Sequence, residues 1–190
     1  MTFSTTTSLF HLGWLSVATP CLSPHFNSRP HNEVSLLVIH NISLPAGCFG
    51  LAHIDQLFQG CLDVNAHASF KDLEGLTVSA HFLIRRDGNI TQYVSCDDRA
   101  WHAGVSQFEG RENCNDFAIG IELEGTDTLD YTDQQYTALT SLTKQVTLQY
   151  PLITLDRIVG HCDIAPGRKT DPGASFNWHR YKQSLGHLSQ

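Results

Sequence analysis

The sequence predicts a single α/β domain, a mixed β-sheet flanked by α-helices, on three observations. A branched aliphatic run at residues 35–42, stopped by Pro45 and Gly47, has the composition of a strand buried on both faces. A second run at 117–124 alternates with the two-residue period of a strand. From Thr132 the pattern changes to helical spacing: Thr132 and Gln135 make a capping box, and Tyr136, Leu139, Leu142 and Val146 share one face until Pro151 stops the helix. With 190 residues the chain has the length of one domain with a sizeable core.

Taken in order, residues 1–34 form a lead-in packed on the domain, extended where Pro20, Pro24 and Pro30 fall among Ser, Asn and His. The domain proper spans 35–190. Its first strand, 35–42, carries His40 near its end. A helix is expected over 50–60, bounded by glycines, with Leu51, Ile54, Leu57 and Phe58 on one face. Residues 77–84 and 90–94 flank Asp87-Gly88-Asn89, whose tolerance of positive φ predicts a hairpin. In the strand at 117–124, Ile119, Ile121 and Leu123 share one face, and Gly120, Glu122 and Glu124 the other. After the helix from 132 come a brief strand at 157–160, a loop with Pro166, Gly167, Pro172 and Gly173, and a terminal helix over 177–185.

Composition narrows the function. A formal net charge of −7 offers nothing like the basic field that drives nucleic-acid binding. No apolar run approaches the roughly 18 residues of a membrane span. The six cysteines show no C-x-x-C pair, and reduced, mostly buried thiols in a cytosolic protein are expected. The first 28 residues lack Lys and Arg, and Pro20 closes the apolar stretch at 9–18, so no secretion signal is readable. Sequon matches at Asn41 and Asn89 are therefore discounted. The unusual count is eleven histidines, imidazole being the commonest metal ligand.

Three segments carry polar residues at strand ends and in a rigid loop: Val38-Ile-His-Asn41, Ile119-Gly-Ile-Glu-Leu-Glu124 and Gly160-His-Cys-Asp-Ile-Ala-Pro-Gly-Arg-Lys-Thr-Asp-Pro172. A catalytic zinc takes three protein ligands and leaves one position to water. His40 at a strand end, His161 just after a strand and Asp171 across a Pro/Gly loop would make such a set. A histidine beside a strand is more often a hydrogen-bonded core residue, so spacing alone leaves both readings open. The helical H-E-x-x-H zinc motif is absent.

These segments, with Ser79-Ala-His-Phe-Leu-Ile-Arg-Arg-Asp-Gly88, Trp101-His-Ala-Gly104 and the flanks of the first three, resemble in order the AmpD-type branch of the N-acetylmuramoyl-L-alanine amidases. Members of that family are zinc enzymes related in fold to phage amidases and peptidoglycan recognition proteins, and the resemblance covers nearly the whole chain. It implies one Zn2+ per chain held by His40, His161 and Asp171, Glu122 as general base and Lys169 as stabiliser of the developing oxyanion. It also implies Asn41, Trp101 and His102 as substrate contacts. The implied reaction is hydrolysis of the bond between the lactyl group of (1,6-anhydro)-N-acetylmuramic acid and the L-alanine of a stem peptide. The implied setting is peptidoglycan recycling in a bacterial cytoplasm, by a monomer whose partner is a small muropeptide. Such fragments also induce some β-lactamases.

Each role has a blander counterpart: Glu122 as a solvated strand residue, Lys169 as a surface lysine, Asn41 as a strand-end hydrogen bond, Trp101 and His102 as packing. Glu124, on the face of Glu122, is the rival base. Ala80 stands where the phage and recognition-protein branches commonly carry tyrosine, which favours Glu122 further. Asn113 and Thr77 stand where AmpD-type relatives often carry arginine, so an anionic stem peptide would have to find Arg85, Arg86 or Arg111. The rival functions are a non-catalytic peptidoglycan-binding module, a general cell-wall amidase, and a thiol hydrolase using Cys162 or Cys114.

Overall fold

Six strands form the central sheet in the computed structural model, which describes residues 8–186. Residues 1–7 and 187–190, the outer ends of the expected lead-in and domain, lie outside the described residues. The strands are β1 (Thr19–Pro20), β2 (Leu36–Ile42), β3 (Phe82–Ile84), β4 (Ile90–Gln92), β5 (Ala118–Glu124) and β6 (Ile158–Gly160), in the spatial order β6-β2-β5-β3-β4-β1. The β2–β5, β5–β3, β6–β2 and β4–β1 pairs are parallel, and the β3–β4 hairpin is antiparallel, turning at Gly88 with φ +86°. The mixed sheet with flanking helices is the expected fold class.

The two central strands are buried along almost their whole length, as their aliphatic composition requires. On one face Leu37, Ile39, Ile119, Ile121, Leu123, Phe82 and Ile84 meet Leu139, Leu142 and Val146 of α2 (Asp133–Gln149) and Tyr181 and Leu185 of α4 (Trp178–Leu185) in the main core. The capping box at Thr132 forms with both hydrogen bonds made, and the buried hydroxyls of Thr143 and Tyr181 bond across the two helices at 2.7 Å. On the opposite face α1 (His53–Phe58) packs Ile54, Leu57 and Phe58 against Leu83 and Tyr93.

Several elements differ from expectation. The lead-in is woven into the domain: Leu15 enters the main core, β1 pairs with β4 at the sheet edge, and Phe26–Ser28 pairs with Asp98–Ala100. The helix expected over 50–60 is confined to α1; the backbone before it turns at Gly50 with φ +72°, leaving Leu51 exposed. The first hairpin strand starts only at Phe82, because Ser79 N–H turns to the carbonyl of Trp101. His161 opens a single helical turn, α3 (His161–Ile164), where a loop was expected; the Asp163 carboxylate accepts from Gly160 N–H and caps it.

Candidate active site

His40 and Glu122 are register partners across the parallel β2–β5 pair, so both rise from the face opposite the main core. β6 lies on the other side of β2 and delivers His161 immediately after its last residue. The loop that follows returns because Cys162 N–H donates to the Asp171 carbonyl at 3.0 Å, which brings the Asp171 carboxylate back to His161 ten residues on. His40 Nδ1, His161 Nδ1 and Asp171 Oδ2 lie 3.0–3.1 Å from one another. Both histidines are buried.

Three donor atoms at this spacing can hold a metal ion. At bond lengths of 2.0–2.1 Å, tetrahedral zinc ligands stand roughly 3.3 Å apart, close to the spacing here, and two neutral imidazoles with one carboxylate are a zinc-type donor set that leaves a fourth position open. The protonation states fit. Burial lowers the His40 pKa to about 4 despite its bond to Asp171, which keeps the ring neutral. At Asp171 burial acts to raise the carboxyl, but its close contacts with the His161 and His40 rings outweigh it and hold the group below the ordinary carboxylate range.

Glu122 is almost wholly buried, and its Oε2 has no hydrogen-bond partner among the described residues. Burial, reinforced by the Asp171 carboxylate, holds its carboxyl well above the usual range, while Lys169 pulls the other way. Glu124 is different: its carboxylate accepts from Gly50 N–H at 2.7 Å, Arg85 Nη1 at 3.0 Å and Arg86 N–H at 3.2 Å. The rival base is thus committed to tying α1's approach and the β3–β4 turn to the end of β5. Lys169 is exposed and lines a hollow of about 520 Å³ together with Asn41 and Asp171. Asn41 donates both amide hydrogens, to Asp127 at 2.8 Å and to the Pro172 carbonyl at 3.1 Å, and so braces the ligand loop from that hollow's wall.

The other expected contacts have partners of their own. Trp101 stacks on His25 and donates to Asn27. His102, expected along a sugar cleft, lies behind the cluster with Nδ1 3.0 Å from His40 Nε2. Arg85 is held by Asp55 and Glu124 beside a separate hollow of about 540 Å³ lined by residues 49–52 and 85–87. Arg86 lies over Phe49 in the same hollow and donates to the Asp130 carbonyl. Arg111 pairs with Glu33 over the Phe117 ring, at the start of β5 and not at the end where the cluster lies. Thr77 and Asn113 are both exposed.

All six cysteines are free, with Cys96 and Cys114 buried, Cys21 and Cys162 half-buried and Cys48 and Cys61 exposed, so fewer are buried than expected. Burial raises the Cys114 and Cys162 thiols, the opposite of what a nucleophilic thiolate needs. Among the described residues no helix is long and apolar enough to cross a membrane.

Residues 30–174 match the sequence model of a family described as N-acetylmuramoyl-L-alanine amidase. The chain is 59% identical over 171 residues to the 1,6-anhydro-N-acetylmuramyl-L-alanine amidase AmpD of Citrobacter freundii, covering 90% of this chain and 91% of that protein. Among solved structures, the crystal structure of a selenomethionine AmpD derivative superposes with a TM-score of 0.91 at 57% identity, covering 93% of this chain and 99% of that one. The amidase AmiD from Escherichia coli, solved with the substrate anhydro-N-acetylmuramic acid-L-Ala-D-gamma-Glu-L-Lys, superposes with a TM-score of 0.59 at 30% identity over 80% of this chain and 57% of that one.

Proposed function

The chain belongs to the N-acetylmuramoyl-L-alanine amidase family, in its AmpD-type branch, and from that membership we propose a zinc-dependent enzyme that cleaves the lactyl–L-alanine amide of soluble 1,6-anhydromuropeptides. That it is an amidase follows from the family; the metal, the form of the sugar and a cytoplasmic, monomeric setting are the proposal. The observation that carries the metal is the convergence of His40 Nδ1, His161 Nδ1 and Asp171 Oδ2 beside an unbonded Glu122 oxygen. The anhydro sugar is supported by the AmpD relatives and by the ligand bound to AmiD.

A zinc ion held by His40, His161 and Asp171 would lower the pKa of a water to about 7 and polarise the scissile carbonyl. Glu122 takes the proton of the attacking water on its free Oε2 and passes it to the departing nitrogen of L-alanine. It must be ionised to begin, and the Lys169 charge favours that form against burial and Asp171. Lys169 places its ammonium where negative charge grows on the carbonyl oxygen, a contribution often among the largest in acyl transfer. Asn41, through Pro172 and Asp127, holds the loop that carries both Lys169 and Asp171.

Metal analysis of purified protein, followed by mass spectrometry of its products from anhydromuropeptides, tests the reading. One zinc per chain and a freed peptide beginning with L-alanine are expected. A metal-free protein of full activity, or cleavage elsewhere, contradicts it.

A further inference from the structure

The segment that follows Trp101 meets both histidines of the cluster from behind. His102 Nδ1 lies 3.0 Å from His40 Nε2, the two rings edge to face at 81°. His161 Nε2 lies 3.1 Å from the Ala103 carbonyl oxygen. A carbonyl only accepts, so this contact is a hydrogen bond when His161 holds its proton on Nε2 and turns a bare Nδ1 to the cluster, the Arg168 guanidinium at 3.4 Å being engaged instead by the same carbonyl at 2.7 Å. For His40 to offer Nδ1 as an electron-pair donor it must likewise hold its proton on Nε2, and His102 Nδ1 is then the acceptor. The proton of His102 is left on Nε2, a buried atom with no partner among the described residues.

That orphan nitrogen separates support from packing. A leucine or phenylalanine would fill space behind His40 without burying an unpaired donor, which costs about 1–3 kcal/mol. β5 also makes room for this ring specifically: a Cβ at Gly120 would fall 2.5 Å from His102 Cγ. The segment is itself held by the Asn115 side-chain oxygen, which accepts from His102 N–H at 3.1 Å and Ala103 N–H at 2.8 Å, and by Arg168, which donates to the Ala103 carbonyl at 2.7 Å.

We propose that His102 and Asn115 are positioning residues for the metal centre: His102 fixes the tautomer and orientation of His40, and Asn115 holds the 102–103 backbone so that His102 and the Ala103 carbonyl reach their histidines. This rests on the reading of His40 and His161 as zinc ligands. Partners of this kind, which touch the ligands and not the metal, orient the rings and raise their basicity, and their loss commonly weakens metal affinity about 10–100-fold.

The test is zinc affinity by chelator competition, together with imidazole 15N spectra of the zinc-loaded protein. A 15N–15N coupling across the hydrogen bond from His40 Nε2 to His102 Nδ1 is expected in the unmodified protein. His102→Leu should weaken zinc binding about 10–100-fold, and His102→Gln, which offers an acceptor oxygen, should recover part of it. Asn115→Asp, which keeps an acceptor oxygen, should bind zinc more tightly than Asn115→Leu. Zinc bound normally by His102→Leu, or zinc-loaded protein without the coupling, overturns the proposal and leaves the ligand assignment standing. An unmodified protein that takes up no zinc overturns both.

Discussion

Glu122 and Glu124 project from the same face of β5, yet among the described residues one carboxylate has an oxygen with no partner and the other is bonded by three donors. The two-residue period of a strand puts both on the side of the sheet that carries the cluster, and their partners separate their roles. Glu122→Ala should keep its zinc and lose on the order of 10²–10⁴ in kcat, the usual contribution of a general base. Glu124→Ala should instead lower the melting temperature, since removing one side of a buried ion pair costs about 3–5 kcal/mol, with a much smaller effect on kcat. Steady-state kinetics and thermal unfolding of the two variants check this, and the reverse ranking would assign the base to Glu124.

Lys169 is exposed beside Asp171 and carries no structural hydrogen bond through its side chain among the described residues. Lys169→Ala should therefore leave the stability within about 0.5 kcal/mol of unchanged, and the melting temperature with it. Its kcat should fall on the order of 10²–10³, with KM little affected, as removal of an oxyanion donor does. A loss confined to KM would make it a substrate-binding lysine.

Removing the metal should cost stability as well as activity. A ligand bound only by the folded state, at about 1,000 times its Kd, adds roughly 4 kcal/mol. Chelation should lower the melting temperature and abolish turnover together, and added zinc should restore both. His40→Ala, His161→Ala and Asp171→Ala should behave as the chelated protein does, with no recovery on adding zinc.

The metal-free protein should lose stability on mild acidification. Burial lowers His40 to about 4 and His81 to about 3, and lowers His102 as well, against about 6.5 for a free imidazole. Below about pH 6.5 the unfolded chain therefore binds protons that the fold does not, and stability falls as pH drops toward 4 and 3, by on the order of a few kcal/mol. Glu122 acts oppositely: its raised carboxyl is protonated in the fold where the unfolded chain has lost the proton, so lowering pH through that raised value favours the fold. Melting curves with chelator between pH 7 and 5 should fall, and fall further in Glu122→Gln. Equal slopes would contradict the raised Glu122.

What could be read from the sequence was what leaves a local period or a cap. β2, β5 and α2 were legible because aliphatic runs, alternation and a capping box are patterns over neighbouring residues. The shared face of Glu122 and Glu124 followed from strand parity alone. The support behind the cluster was not legible, because it is built from contacts between distant parts of the chain. Arg29, buried, donates to the carbonyls of Cys96, Asn115 and Ala118. His81 accepts from Gly120 N–H, and Asn115 holds the backbone after Trp101. None of these carries a spacing signature. His102 is visible only within a motif, and that Gly120 on β5 leaves room for its ring is shown by the structure alone. Arg85 and Arg111 looked free because a sequence does not display their carboxylate partners.

A zinc amidase for soluble anhydromuropeptides is distinguished from a general wall amidase by kcat/KM of the zinc-loaded protein on isolated 1,6-anhydromuropeptides and on intact wall sacculi, with products identified by mass spectrometry. Cleavage at the lactyl–L-alanine bond is expected, with a large preference for the soluble fragments. Comparable values on both substrates, or scission at any other bond, would contradict it.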